Sequence, residues 1–216
     1  MDLYVVVGLD KLIEKLKDLA MRYGPEDAKV ILMIFFDVDC PACARMYKEC
    51  GDYLQKLVRE GKICIYYVDF PVHRGSEYAH VTLRRIYKNN PQAFLEVLRK
   101  VYMRQDDKDV IESLKDMNAK KEEIDIVMTC KKIGKEIGVR GTPTILIGLR
   151  NRNLGIVMEG YWGKAALEKL IERALNEDKE LEKLITLLVL IGNVKEYPPK
   201  TEAKAETETA KKSETT

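Results

Sequence analysis

The first 36 residues alternate between short apolar runs and helical periodicity. Leu3–Val7 predicts a short strand. Residues 9–20 place leucine, isoleucine and alanine at the i, i+3, i+4, i+7 spacing of an amphipathic helix, which Gly24 and Pro25 are expected to end. Val30–Phe36 is an unbroken apolar run of strand length, which is typical of a central strand buried on both faces.

The period changes to 3.6 residues at Pro41, and the helix that begins there is expected to end at Gly61. Residues 63–70, ICIYYVDF, predict the next strand. The stretch over 75–135 is helical in character and contains several separate helical segments.

Two further strands are predicted at residues 144–147 and 156–160, joined by a turn at 151–153. A helix over 167–175 follows, and residues 181–191 add an extra apolar helical segment. The order is therefore strand, helix, strand, helix, strand, helical block, strand, strand, helix. That order predicts an α/β fold with a mixed central sheet and helices on both faces.

Composition and charge narrow the function classes. Lys plus Arg is 37 and Asp plus Glu is 35, so the net charge of +2 gives no reason to expect a nucleic acid as partner. Charged residues make up 33% of the chain, which follows the trend of thermophilic proteins.

No segment is long enough to span a membrane, since the longest apolar run covers only residues 184–191 and a span needs roughly 20 residues. The first 20 residues lack the basic start and long apolar run of a signal peptide. We therefore expect a cytoplasmic protein.

The strongest chemical signal is Cys40-Pro41-Ala42-Cys43. The pair follows a predicted buried strand and begins a predicted helix, where backbone N–H groups lack intrahelical partners and the helix dipole is positive. This position is expected to lower the pKa of the Cys40 thiol. Cys43 begins the apolar stripe of the helix and is expected to be buried. Two thiols at this spacing can close a disulfide and exchange it through a mixed disulfide.

A zinc site is the competing interpretation of a C-x-x-C pair, and it needs a second pair of ligands. The other cysteines are single and the two histidines are not spaced as a zinc knuckle; these residues are Cys50, Cys64, Cys130, His73 and His80. We therefore predict no metal and no organic cofactor, with the Cys40–Cys43 disulfide as the redox-active group.

The segment VILMIFFDVDCPAC resembles the active-site entry of thioredoxin-fold proteins, and its FxDxxCPxC pattern is closest to the DsbA-like branch. Residues 67–71 with His73 resemble the strand end that follows the active-site helix in that branch, where a helical insertion begins. Residues 138–144, GVRGTPT, match the family's GVxGTPT loop, whose proline is cis and packs against the active cysteines. The match covers roughly residues 28–175.

The resemblance implies a thioredoxin fold and a thiol–disulfide oxidoreductase that acts on proteins. Cys40 is then the attacking thiolate and Cys43 the resolving thiol. The substrate-binding residues that the resemblance implies are Arg140, Gly141, Thr142 and Pro143. Expected partners are protein thiols or disulfides and a redox recycling partner. The sequence does not decide between oxidase, reductase and isomerase.

This interpretation divides the chain into five parts. Residues 1–74 are the first part of the thioredoxin fold, 75–135 the helical insertion, 136–177 the second part of the fold, 178–195 a C-terminal apolar helix and 196–216 a disordered tail. The tail is expected to be disordered because residues 198–216 lack the large apolar side chains whose burial would offset the cost of ordering.

Four residues are expected to tune the dithiol: Pro41, Ala42, Asp37 and Asp39. Many relatives carry a buried acid six positions before the first cysteine, where this chain has Ile34, and Asp37 is the candidate for part of that proton handling. Asp39 is expected to cap the helix or to raise the pKa of Cys40. Strongly oxidising relatives have histidine in place of Ala42, so we expect a potential between about −270 mV and about −120 mV.

The remaining cysteines are interpreted as buried core thiols, although a Cys50–Cys64 disulfide is an alternative if the source is a hyperthermophile. His73 and His80 are interpreted as surface or insertion residues. Segment 181–191 is more apolar than a solvated helix; it covers an edge of the domain or forms a homodimer contact, and the sequence does not choose.

Two other functions of the same fold stay open. One is a chaperone or binding module, which would keep binding unfolded chains without its cysteines. The other is a glutathione-dependent transferase or isomerase. The two intact cysteines argue against the latter, since such relatives often have serine at the first position.

Overall fold

The unbroken apolar run forms the central strand of the fold in a computed structural model, which describes residues 2–104 and 107–199. All seven residues of that strand are buried. The elements in chain order are β1 (Leu3–Val7), α1 (Leu9–Leu16), β2 (Met21–Tyr23), β3 (Val30–Phe36), α2 (Pro41–Arg59), β4 (Ile63–Asp69), α3 (Ser76–Asn89), α4 (Pro91–Met103), α5 (Lys108–Glu112), α6 (Lys121–Glu136), β5 (Thr144–Leu149), a 3₁₀ turn (Arg150–Arg152), β6 (Leu154–Glu159), α7 (Lys164–Asn176), α8 (Lys179–Leu190) and β7 (Val194–Glu196).

The strands form one mixed sheet in the order β2-β4-β3-β5-β6-β1-β7. Strands β3 and β4 are parallel, whereas β5 and β6 are antiparallel to their neighbours. Successive side chains of a strand point to opposite faces, so Ile34 and Phe36 of β3 enter one core while Met33 and Phe35 enter the other. The prediction of a mixed sheet is confirmed.

Helices cover both faces, as predicted. Buried residues of α2, α3, α4, α7 and α8 form the core on one face. Buried residues of α1 and α6 form the core on the other. Helices α3 to α6 lie between β4 and β5 in the chain, where the sequence predicts an insertion.

The first helix is shorter than predicted. It ends at Leu16, and Met21–Tyr23 pairs with β4 as an antiparallel edge strand that the sequence analysis missed. The Tyr87 hydroxyl contacts both the N–H and the C=O of Arg22, at 3.0 and 2.9 Å. Three residues are too few for a strand periodicity to show, so pairing with β4 decides the conformation.

The predicted disordered tail begins too early. Val194–Glu196 pairs in parallel with β1, and Tyr197 is only 6% exposed. The N–H of Val5 donates to Asn193 O at 2.9 Å, and the N–H of Tyr197 donates to Val7 O at 2.9 Å. The backbone groups on the outer side of β1 need partners, and these residues supply them. Residues 200–216 of the predicted tail lie outside the described residues.

A disulfide between Cys50 and Cys64 is excluded by the sheet. Cys50 lies in the core beneath α2, whereas the alternation along β4 turns Cys64 into the opposite core. All five cysteines are buried free thiols. The alternative of a structural disulfide is therefore wrong, and the interpretation as core thiols holds for Cys50, Cys64 and Cys130.

Helix α8 covers part of the sheet but leaves one side apolar and exposed. Leu181, Ile185 and Leu188 are buried. The exposed residues at its end are Leu187, Val189, Leu190 and Ile191. A homodimer through this segment stays a prediction. Among residues 2–104 and 107–199, no helix combines the length and apolar character needed to cross a bilayer.

Candidate active site

The dithiol lies where the central strand passes into α2. Strand β3 ends at Phe36, three residues form the loop, and Cys40 is the N-cap of α2 with extended backbone angles. Pro41 takes the first helical position, where its missing N–H breaks no hydrogen bond. The Cys40 Sγ accepts a hydrogen bond from the N–H of Cys43 at 3.4 Å. The Cys40 sulfur is therefore held over the first turn of the helix.

The helix start changes the acidity of Cys40. The hydrogen bond from the Cys43 thiol lowers the pKa of the Cys40 thiol most, and the Thr142 side chain and the backbone N–H groups of Cys43 and Ala42 lower it further. Although burial opposes the shift, the pKa falls from 9.0 to about 6. This is the direction that the position at the helix N-terminus predicts. Cys40 is therefore mostly a thiolate at neutral pH.

Cys43 has the opposite character. Its residue is 0% exposed, against 5% for Cys40. Burial, and then the neighbouring Cys40 sulfur, raises the pKa of the Cys43 thiol well above 9.0. The pair thus combines an ionised sulfur in a slightly exposed residue with a protonated sulfur in a fully buried one.

A second segment, far away in sequence, closes over Cys40. The Thr142–Pro143 peptide bond is cis. The Cys40 sulfur lies 3.2 Å from the carbonyl oxygen of Thr142, to which the thiol donates in its protonated form. The loop is fixed by Thr144 Oγ1, which donates to Gly141 O at 2.8 Å, and by the N–H of Gly160, which donates to Pro143 O at 2.9 Å. The structure therefore brings the CPAC and GVRGTPT motifs together.

Arg140 stands at the outer end of this loop. Its guanidinium pairs with the carboxylates of Asp2 and Glu159. The side chain is 67% exposed, so it stays accessible from solvent. Arg140 thus lies on the sheet edge beside the loop rather than against the sulfurs.

Asp37 is the fixed point between β3 and α2. Its carboxylate is fully buried and accepts hydrogen bonds from the N–H groups of Val72, His73 and Asp39, at 2.7, 2.9 and 3.1 Å. The His73 Nδ1 lies 2.8 Å from the same carboxylate. Asp37 therefore ties the segment after β4 to the loop that carries Cys40. At the position of Ile34 the strand is apolar and 1% exposed.

A buried row of charges extends from Asp37 beneath the site. His80 Nε2 lies 3.6 Å from Asp37 Oδ1, and His80 Nδ1 lies 2.6 Å from Asp69 Oδ1. The guanidinium of Arg84 pairs with Asp69. His80 is therefore not a surface residue, because the two buried carboxylates require a cation between them. His73, which is half exposed, lies at the surface as predicted.

These groups shift one another's acidity. Burial alone would lower the pKa of His80, but Asp37 and Asp69 raise it from 6.5 to about 9. Burial alone would raise the pKa of Asp37 and Asp69. His80 outweighs this effect at Asp37, and Arg84 together with His80 outweighs it at Asp69, so the pKa of both carboxyls falls below its usual range. The row therefore holds two negative and two positive charges at neutral pH.

The local sequence patterns did not predict this row of charges, although two signals point to it. Asp69 is a charge at the end of an otherwise apolar strand, so it needs a buried partner. His80 and Arg84 are four residues apart on α3 and therefore share one helix face. Neither signal says which carboxylates that face meets.

Asp39 does not cap the helix, since Cys40 occupies the N-cap. Its carboxylate lies 3.6 Å from Lys115 Nζ, and burial raises its pKa. Pro41 and Ala42 are exposed beside Cys40. Within residues 2–104 and 107–199, no group of three or more His, Cys, Asp or Glu residues is arranged to hold a metal ion.

The acidity of Cys40 gives a first prediction. The alkylation rate of the fully reduced protein with iodoacetamide should rise with pH around an inflection near pH 6, because the thiolate is the reacting species. Mass spectrometry should place the fast-reacting label on Cys40, and Cys40→Ser should abolish the fast phase. An inflection at pH 8 to 9 would contradict the lowered pKa.

The buried charges give a prediction about pH and stability. Because the pKa of His80 is raised from 6.5 to about 9, its stabilising contribution is complete below pH 6.5 and is lost as the pH rises towards 9. The difference in free energy of unfolding between wild type and His80→Gln should shrink over that interval in urea titrations.

An NMR titration of the wild-type imidazole tests the same point without a variant. The His80 resonances should shift near pH 9. An imidazole that titrates near pH 6.5, or a free-energy difference that stays constant up to pH 9, would show that the two carboxylates do not hold the proton.

Comparison with known proteins agrees with this geometry. Residues 17–173 match the family model described as thioredoxin, Thioredoxin_4. No curated protein sequence gives a significant match.

Solved structures show the same fold at low sequence identity. A periplasmic thioredoxin-like protein from Salmonella enterica serovar Typhimurium has a TM-score of 0.62 at 20% identity, over 77% of this chain and 97% of that one. Oxidised BdbD from Bacillus subtilis has a TM-score of 0.58 at 20% identity, over 74% and 94%. Wolbachia pipientis alpha-DsbA1 has a TM-score of 0.59 at 12% identity, over 73% of this chain and 92% of that one.

The family match spans well over half of the chain and includes both the CPAC and the GVRGTPT motif. The chain therefore belongs to the thioredoxin family, in its DsbA-like branch of disulfide oxidoreductases.

Proposed function

We propose that the protein exchanges disulfides with protein substrates that lie along the Thr142–Pro143 loop. Cys40 attacks and Cys43 resolves. The observation that carries this proposal is the Cys40 sulfur, which combines a lowered pKa with a distance of 3.2 Å to Thr142 O. A nucleophilic sulfur thus lies directly beside a loop that can seat an extended chain.

The reductive direction takes two steps. The Cys40 thiolate attacks one sulfur of the substrate disulfide; that S–S bond breaks, a mixed disulfide forms and the other substrate sulfur leaves as a thiolate. Cys43 then loses its proton and attacks Cys40 Sγ, which forms the Cys40–Cys43 bond and releases the second substrate sulfur. The substrate gains two electrons and the protein dithiol loses them. Oxidation of a substrate dithiol is the same sequence in reverse.

The seat for the substrate is a groove beside the loop. Arg140, Gly141, Thr142, Glu159 and Gly160 line a cavity of about 250 Å³. Thr142 lines this groove, and its carbonyl oxygen contacts Cys40. A cysteine of a chain bound in the groove would therefore meet the attacking sulfur.

The resolving step needs the proton of Cys43 to leave. Asp37 affects this step through its backbone, whose hydrogen bond lowers the pKa of Cys43 against the effect of burial. Its carboxylate acts by position, because it fixes residues 37–39 at the entry to α2. We propose that Asp37 is a positioning residue.

The direction of exchange depends on the compartment and on the recycling partner. Ala42 provides no imidazole beside Cys40, so the expected potential lies between the values of about −270 mV for thioredoxin and about −120 mV for DsbA. That the protein functions in the cytoplasm stays a prediction. The recycling partner is a dithiol or disulfide protein that reduces or oxidises the Cys40–Cys43 pair.

A trapping experiment tests the roles of the two cysteines. Incubation of Cys43→Ser with a protein disulfide should accumulate a mixed disulfide at Cys40, because the resolving thiol is absent. Non-reducing electrophoresis and peptide mapping would show the adduct, and a small dithiol should release it. The matched variant Cys40→Ser should form no adduct. Adducts at Cys43 of the second variant, or none with either, would contradict the assigned roles.

The potential tests the dithiol itself. In graded glutathione buffers, thiol trapping and mass spectrometry should show one two-electron transition, confined to Cys40 and Cys43 and centred between about −270 and about −120 mV. Cys50, Cys64 and Cys130 should stay unpaired throughout. If no Cys40–Cys43 bond forms, and a double cysteine-to-serine variant binds unfolded chains like the wild type, the protein is a binding module instead.

A further inference from the structure

A large cleft beside the active-site loop takes no part in the chemistry described above. It has a volume of about 860 Å³ and lies between the start of β1, the end of α6 and the start of β7. One carboxylate, Asp2, lines it. The positively charged residues that line it are Lys131, Lys135, Arg140 and Lys195.

Among the described residues, only one of these four cations, Arg140, forms an ion pair, and Lys131 is held by a backbone carbonyl instead. Lys131 donates to Pro71 O at 2.5 Å, and Arg140 pairs with Asp2 and Glu159. Lys135 and Lys195 are exposed, and neither forms a salt bridge with a residue in the part of the chain that the structure describes. The cleft therefore carries a net positive charge that its own lining does not neutralise.

A buried hydroxyl in the cleft also lacks a partner. Tyr4 is 7% exposed, and its Oη has no hydrogen-bond partner among residues 2–104 and 107–199. The hydroxyl lies beside Gly138, where a Cβ would be 3.4 Å from Tyr4 Oη and 3.1 Å from Lys195 Cε. Burial, followed by Glu159, raises the pKa of Tyr4, so the hydroxyl stays a donor. An unpaired buried donor costs free energy that an acceptor in the cleft would recover.

The cleft adjoins the substrate groove through one shared lining residue. Arg140 lines both, and Thr142 is two residues further along the loop that contacts Cys40. An extended chain advances about 3.3 Å per residue, so two residues span about 7 Å. A substrate whose cysteine meets Cys40 would therefore place side chains two to four positions away at the cleft.

We propose that this cationic cleft binds carboxylate side chains of the protein substrate, so that disulfides flanked by Asp or Glu at two to four positions are preferred. Two ammonium groups and a hydroxyl donor suit a carboxylate, which only accepts hydrogen bonds when ionised. An extended segment reaches both the groove and the cleft. This inference rests on the proposed function and adds a substrate class to it.

Three peptides that differ only in charge test the preference. Each carries one cysteine as a mixed disulfide with thionitrobenzoate, and Glu-Glu, Gln-Gln or Lys-Lys stands three and four positions away. Each peptide is made in two versions, one with the Glu-Glu, Gln-Gln or Lys-Lys pair before the cysteine and one with the pair after it. The release rate with the reduced wild-type protein should follow Glu, then Gln, then Lys. Two exposed ion pairs give a factor of about three to ten between Glu and Gln at low salt, and added salt should weaken it.

Matched variants locate the effect. Lys135→Gln with Lys195→Gln should remove most of the preference for Glu while leaving the rate with the Gln peptide unchanged. Lys11→Gln with Lys100→Gln changes the net charge equally on exposed helix positions away from the cleft, and should keep the preference. Tyr4→Phe should reduce the preference without loss of stability, because it removes an unpaired hydroxyl.

The outcomes separate this inference from the proposed function. Equal rates for the Glu and Gln peptides, or an equal loss of preference in both double variants, would overturn the proposal that the cleft binds carboxylates. If the Gln peptide fails to react with Cys40, the proposed function fails. In that case, fluorescence anisotropy with cysteine-free Glu and Gln peptides and a Cys40→Ser, Cys43→Ser protein still tests the cleft. Tighter binding of the Glu peptide supports it, and equal binding overturns it.

Discussion

The buried carboxylate of Asp37 is the constraint on which the site depends. It joins three segments, because it accepts N–H donors from the loop before α2 and from the segment after β4, and it faces the imidazole of His80 on α3. A buried charge without a counter-charge would be costly, so the Asp37 carboxylate requires the protonated His80 beside it. The entry to α2, and with it Cys40, is thereby fixed to both central parallel strands.

The chemistry of the dithiol follows from unequal surroundings of two identical groups. Cys40 caps a helix and receives hydrogen bonds from Cys43, whereas Cys43 lies within the core. The first environment favours a thiolate and the second a thiol. The same few residues thus hold one sulfur ionised and the other protonated at neutral pH.

The loop that contacts Cys40 comes from the second half of the fold. The loop at 138–144 follows α6 and leads into β5, which pairs with β3, so the helical block and the antiparallel half of the sheet meet the CPAC segment where β3 ends. Strands β1 and β7, from the two ends of the described chain, lie beyond β6 in the sheet and carry Tyr4 and Lys195. The groove beside Cys40 and the cationic cleft are therefore products of elements that lie far apart in sequence.

The sequence by itself determined what depends on neighbouring residues. The apolar run at Val30–Phe36, the proline after Cys40 and the stripe that follows them predict strand, helix start and buried thiol, since these are local preferences. Only the tertiary structure decided which distant groups meet. It turned His80 inward to two carboxylates, placed Cys64 opposite Cys50 and paired residues 194–196 with β1. Such choices depend on sheet register and on the partners available for buried charges and backbone groups, which no local pattern contains.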